Sequence, residues 1–344
     1  MFNIEKPVLA IDIGRGTQDI LLYEPGQNIE NSIKMVLPSP NVVVGKEIRN
    51  AASAKKSIHL TGYTMGGGQN VFEISKALQN GIKITATKKA ALTIKDNIDA
   101  VKDKGILILE DEHISTDTKV IKTRDYMKDE IQNILSAFSI DYPENIAIAV
   151  QDHGFSKDVS NRIFRFRCLN EMLDKNDWQI SSLAQDPPLP SMTRMHSVLE
   201  QCPGALVTDT GPAAIMGALC DPVVLKMAKK GLTLVNAGNG HTLAFTIKGT
   251  EILGIFEHHT GSLSQEKMNY YLNKLRTGTI TNEEVFEDGG HGASVRKNLD
   301  SEYIAVTGPN QNKILPDAYH ASPFGDMMLS GCFGLLKIWD ISRT

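Results

Sequence analysis

The chain has 344 residues, of which 41% are hydrophobic and 22% charged, with a formal net charge of −4. That length suits two domains of ordinary globular composition. Acids and bases are interspersed, so no basic patch marks a nucleic acid or an anionic membrane as partner. No apolar run reaches the ~18 residues a membrane helix needs. A buried strand is expected almost at once, which points to a cytoplasmic chain without a signal peptide. The cysteines Cys168, Cys202, Cys220 and Cys332 lie far apart, as buried thiols in a reducing compartment do.

In chain order, residues 8–13 and 20–24 read as short strands joined by Gly14-Arg15-Gly16-Thr17, a β-hairpin that ends at Pro25-Gly26. Further strands are expected at 58–63, 106–109 and 145–150. Helical spacing links Val71, Ile74 and Leu78, then Met127, Ile131, Ile134, Leu135 and Phe138, then Val159, Ile163, Phe166 and Leu169. The run Asp186-Pro187-Pro188-Leu189-Pro190 is the clearest break. A strand at 205–208 and a helix with Pro212 near its first turn follow.

The opening pattern then returns: strand 232–235, turn Gly238-Asn239-Gly240, strand 243–247 and a third strand at 252–256. Met268, Tyr271, Leu272 and Leu275 share a helix face. A late strand at 303–306 and a buried C-terminal helix through Met328, Cys332, Leu335 and Trp339 complete the chain. The expected division is a first domain at 1–185, a crossover at 186–204 and a second domain at 205–344.

The two turns carry the chemistry. Asp12-Ile13-Gly14-Arg15-Gly16-Thr17 and Asn236-Ala237-Gly238-Asn239-Gly240-His241-Thr242 each place a polar residue at a strand end, then two glycines two apart, then a threonine. Glycine lets the backbone approach an anion with its N–H groups turned inward. The hydroxyls of Thr17 and Thr242 add donors. A carboxylate at the strand end can hold Mg²⁺. No G-x-x-x-x-G-K-[ST] is present, and Gly14-x-Gly16 runs into a strand rather than a helix, so neither the P-loop nor the dinucleotide fingerprint fits.

On these residues the chain resembles the superfamily of actin, Hsp70 and the sugar kinases. The resemblance implies an α/β fold: two duplicated actin-like (ribonuclease H-like) domains with an interdomain nucleotide cleft. It implies ATP and Mg²⁺ as cofactors, with Gly308, Pro309 and Asn310 as the adenosine turn. Gln151-Asp152-His153-Gly154, Asp209-Thr210-Gly211-Pro212, Glu257-His258-His259-Thr260-Gly261 and Thr307-Gly308-Pro309 also resemble a largely archaeal family whose members are often labelled pyruvate formate-lyase activating enzymes. A radical-SAM activating enzyme holds its cluster on C-x₃-C-x₂-C, a spacing this chain lacks.

The resemblance further implies that Gln151 or Asp152, at the end of the strand 145–150, orients the attacking water or hydroxyl. The plain alternative for Asp152 is a cap on the following turn. Asp209 reads as a helix cap or as a second Mg²⁺ acid beside Asp12. The second acid matters because the superfamily's second turn begins with aspartate and this one begins with Asn236, which keeps the hydrogen bonds and loses the charge. His153, His241, His258, His259 and His291 gather in glycine-containing loops. Among these, His241 and His258 are the expected site residues, and a metal site is the lesser reading.

Three functions follow as expectations: an Mg²⁺-dependent ATPase or small-molecule phosphotransferase, a non-catalytic nucleotide-dependent switch, or a metal- or histidine-assisted phosphometabolite hydrolase. The sequence names neither the phosphoryl acceptor nor the oligomeric state.

Overall fold

The computed structural model describes residues 2–111, 114–156, 159–184 and 186–343. Met1, Gln185 and Thr344, boundary residues of the expected domains, lie outside the described residues. The described strands are β1 (Val8–Ile13), β2 (Thr17–Tyr23), β3 (Ile33–Pro38), β4 (Ile58–Gly62), β5 (Ile84–Ala86), β6 (Leu107–Ile108), β7 (Lys119–Thr123), β8 (Asn145–Val150), β9 (Leu206–Thr208), β10 (Leu232–Ala237), β11 (His241–Lys248), β12 (Glu251–His259), β13 (Gly292–Val295), β14 (Ile304–Thr307) and β15 (Tyr319–His320).

Two sheets repeat one topology. In the first, ordered β3-β2-β1-β8-β9, an antiparallel meander is extended by β8 parallel to β1 and β9 parallel to β8. In the second, ordered β13-β12-β11-β10-β14-β15, the meander β12-β11-β10 is extended by β14 and β15 in the same way, with β13 added at the edge. This duplicated α/β architecture is the fold class expected. The residues after the proline-rich break return to the first sheet as β9, and the second sheet begins at Leu232.

Strand alternation decides where the functional residues point. In β1, Val8 and Ala10 face a central core while Leu9, Ile11 and Ile13 face the outer one. In β10, Leu232 and Leu234 face the same central core, and Val235 and Ala237 face outward. By this period Asp12 and Asn236 both fall on the inner faces. Between the sheets run two buried helices, Thr210–Ala218 and Ser330–Ser342. Their backbones nearly touch: a Cβ on Gly334 would sit 1.7 Å from the Ala213 carbonyl oxygen.

Between β3 and β8 the chain builds a third, all-parallel sheet, β6-β5-β4-β7, with its own core. The helices Pro40–Ser53 and Gln69–Gln79 contribute to that core. No single described helix is long and apolar enough to cross a membrane. The pair Thr210–Ala218 and Pro222–Lys230 passes that test jointly but is bent by 92°.

Candidate functional site

Both glycine turns line one cleft. Its walls include Asp12, Gly14, Arg15 and Thr17 from the first turn and Asn236, Gly238, Asn239, Gly240 and His241 from the second. It encloses about 110 Å³ and continues past Gly14, Arg15, Gln151 and His241 into a cavity of about 400 Å³. The turns share one hydrogen-bond pattern. The Gly14 amide donates to the Thr17 carbonyl at 2.9 Å, and the Gly238 amide donates to the His241 carbonyl at 3.0 Å. Arg15 reaches across, its Cδ 3.8 Å from where a Gly240 Cβ would stand.

That pattern corrects one expectation. The counterpart of Thr17 is His241, not Thr242. Thr242 pairs with Ala237 on the outward face and is fully buried, its hydroxyl 3.0 Å from that of Thr260. It is not among the residues lining the cleft.

The acids divide into two sets. Asp12 pairs in register with Asp19 across the hairpin. Each has a buried Oδ1 without a hydrogen-bond partner. Burial, then Asp19 and Asp209, raises the Asp12 carboxyl well above its ordinary range. Burial raises Asp19 to about 7, opposed by the Thr17 hydroxyl and reinforced by Asp326. Two adjacent carboxylates with idle oxygens and raised affinity for a proton suit a bound divalent cation. The residues present therefore fit Mg²⁺. The carboxylates with unpartnered oxygens here are those of Asp12 and Asp19, where the sequence reading paired Asp12 with Asp209.

Asp209 is engaged elsewhere. Its two oxygens accept from Arg165 Nη1 and Nη2 at 2.7 and 3.0 Å, and it caps its helix through the Gly211 amide at 3.0 Å. Burial pushes its carboxyl up, and Arg165 overrides that, so it titrates below the usual range. Arg165 also holds Glu257 through Nε at 2.9 Å and Nη2 at 2.7 Å, and donates to the Asp152 carbonyl at 2.6 Å. This buried Asp209–Arg165–Glu257 network is the feature the sequence reading missed.

Asp152 is buried, and its oxygens accept from the backbone amides of Gly154 at 2.8 Å and Met195 at 2.9 Å, the contacts of a turn cap. Gln151 lines both cavities, and its side-chain amide meets His241 Nδ1 at 2.5 Å. His258 points outward and is fully buried, with Nε2 3.1 Å from Asp288 Oδ2. Its neighbour His259, paired with His241, lines the larger cavity instead.

The expected adenosine turn lies against the second glycine turn. The Asn310 amide donates to the Ala237 carbonyl at 3.0 Å, and its side chain donates to the Gly238 carbonyl at 3.0 Å. Gly308 has φ +98°, and a Cβ there would meet the Ala237 carbonyl oxygen at 2.7 Å, so only glycine fits. Pro309, Met327 and Met328 line the cleft beside it.

One consequence concerns pH. Asp19 holds its proton to about 7 in the folded chain against an ordinary 3.8. Between those values the native state binds more protons than the unfolded one, so this group's contribution to stability falls as pH rises through that window. The buried histidines have lowered values and act in the opposite sense, but they cancel in a comparison of variants. In metal-free protein, the stability of Asp19→Asn relative to wild type is expected to rise by roughly 2–3 kcal/mol between pH 5 and pH 8. Urea titrations at the two pH values read it, and an unchanged difference would contradict it.

A duplicated α/β fold whose two glycine turns line one cleft, together with the idle oxygens of Asp12 and Asp19, is the actin-like architecture the sequence led one to expect. The chain belongs to the family described as "Putative pyruvate format-lyase activating enzyme (DUF1786)", which matches residues 65–313. The four described cysteines are unpaired, and their sequence spacing does not supply the cluster ligands that such chemistry uses.

Among solved structures, the chain is similar to a Bacteroides thetaiotaomicron protein with actin-like ATPase fold and unknown function, at 8% identity and TM-score 0.38 over 96% of each chain. It is similar to an inorganic polyphosphate/ATP-glucomannokinase from Arthrobacter sp. strain KM at 10% identity and TM-score 0.33, over 96% of this chain and 97% of that one. A ROK family transcriptional regulator matches at 10% identity and TM-score 0.28 over 73% of this chain, which spans 39% of the regulator's length. No curated protein matches.

Proposed function

We propose that the chain binds Mg·ATP in the cleft between its two glycine turns and cleaves or transfers the γ-phosphate. The observation that carries this reading is the convergence of both turns on the idle oxygens of Asp12 and Asp19. These carboxylates would hold the cation, which supplies charge neutralisation at the phosphates. Backbone amides of both turns, with the Thr17 hydroxyl, would grip the phosphate oxygens, and Arg15 would approach them from the rim. Gly308, Pro309 and Asn310 would flank the nucleoside. The larger cavity, entered past Gln151, has room for a small acceptor or an attacking water.

Two observations favour the switch reading as second. Asn236 brings no charge to its turn, and both Asp152 oxygens are taken by backbone amides. Binding without turnover would then be the output, read through closure of the cleft. Calorimetry with Mg·ATP tests the shared claim of binding, and ADP release separates the two readings. Absence of nucleotide binding sinks both.

A further inference from the structure

We propose that His153, His241 and His291 form a binding site for a divalent transition ion of the zinc class, beside the second glycine turn. The three residues come from different elements. His153 follows β8, His241 opens β11, and His291 precedes β13. Each offers one ring nitrogen, and these nitrogens all lie within 4.8 Å of one another. Three nitrogens around one tetrahedral ion at about 2.0–2.1 Å stand about 3.3 Å apart, so small ring rotations would complete the set.

The second observation is that three buried ring nitrogens at this point, two on His291 and one on His241, lack hydrogen-bond partners. His291 is 1% exposed, yet neither of its ring nitrogens has a hydrogen-bond partner. His241 Nε2 is buried and unpartnered as well. A structural histidine in a core normally satisfies at least one nitrogen. His258 does so through Asp288, and His59 through Thr85. Here the rings turn toward each other instead, with centroids 4.7 Å apart for His241 and His291 and 5.4 Å for His153 and His241.

The surroundings suit a cation. Burial, with Arg165 adding to it, lowers His153 to about 4 and His291 to about 2. Burial lowers His241 to about 2 against the opposing pull of Glu257. All three are therefore neutral near pH 7, the form that ligates metal. Arg165 is the buried cation that acts on all three rings, and Asp209 and Glu257 together outweigh its charge. Arg162 is held by the carbonyls of Phe286 and Gly290.

Gln151 supplies an outer partner. Its side-chain amide nitrogen lies 2.5 Å from His241 Nδ1, and His241 Nε2 is the ring nitrogen left without a partner. His153 and His241 both line the 400 Å³ cavity, so an ion held by them would be reachable from it. The ligand taken there would be water or an oxyanion. The nitrogen-only donor set favours zinc-class ions over Mg²⁺, which prefers oxygen.

The test uses full-length protein stripped with a chelator and titrated with Zn²⁺ in the absence of nucleotide. Calorimetry is expected to show one ion per chain, and Co²⁺ in its place is expected to give visible ligand-field absorption. His153→Ala and His291→Ala are each expected to weaken Zn²⁺ binding by at least about 100-fold. Should His291→Ala fail to fold, the cavity-edge variant His153→Gln and the Co²⁺ spectrum carry the test. Wild-type protein that takes up no stoichiometric ion overturns the proposal, as do folded variants that bind as tightly as wild type. Because no nucleotide is present, either result leaves the Mg·ATP reading to its own experiment.

Discussion

Arg165→Met is expected to lower the unfolding free energy by about 3–5 kcal/mol, the loss seen when one partner of a buried ion pair is removed. Arg165 is 1% exposed and serves Asp209 and Glu257, themselves 5% and 1% exposed. Methionine fills much of the volume but supplies no donor. Two buried carboxylates are then left facing each other, and the Asp152 carbonyl loses its 2.6 Å contact. The network ties the helix Asn161–Asp174, the start of the helix Thr210–Ala218 and β12 together, so its loss loosens both walls of the cleft. The triple change Arg165→Met, Asp209→Asn, Glu257→Gln removes the stranded charges and is expected to recover part of the stability. Urea unfolding checks both. A change below about 1 kcal/mol for Arg165→Met alone would be out of line with a buried network.

Gly334→Ala is the second large effect. The added methyl would lie 1.7 Å from the Ala213 carbonyl oxygen and 2.9 Å from the Gly217 amide nitrogen. Both obstacles are backbone, so no side chain can rotate away, and the two central helices must separate. Overpacking of a core usually costs about 1–3 kcal/mol, and this site belongs at or above the top of that range. The same helix carries Gly331, where a Cβ would fall 1.9 Å from Asp12 Oδ2. Helix separation therefore reaches Asp12, so on the Mg·ATP proposal Gly334→Ala is expected to weaken Mg²⁺-dependent nucleotide binding along with stability. A thermal melt unchanged from wild type would show that the crossing is not tight.

The site was partly legible because its chemistry sits in local signals. Strand alternation and glycine spacing found both hairpins, and the carboxylate at the end of β1 marked Asp12. Asp19 was hidden because its role depends on register: only the pairing of Asp12 with Asp19 puts two acids on one face. Arg165 was hidden in a helix that also carries Arg162 and Arg167, and spacing alone does not say which one is buried. Neighbours in a strand face opposite ways, so only one of His258 and His259 can meet the cleft, and the pairing of His259 with His241 decides which. Thr242 was misassigned because counting from the glycines ignored where the hairpin's hydrogen bonds close. Of the third sheet, β4 and β6 were expected at 58–63 and 106–109 but β5 and β7 were not: β7 is mostly polar and exposed, and its parallel partner is distant in sequence.

Calorimetric titration of nucleotide-free protein with ATP, with and without Mg²⁺, bears most directly on the central claim, with Asp12→Ala beside wild type. Wild type is expected to bind one ATP per chain, more tightly with Mg²⁺. Asp12→Ala is expected to lose that Mg²⁺ dependence and at least about tenfold in affinity, the equivalent of about 1.4 kcal/mol. Equal Mg·ATP affinity for the two proteins, or none for wild type, would contradict the account.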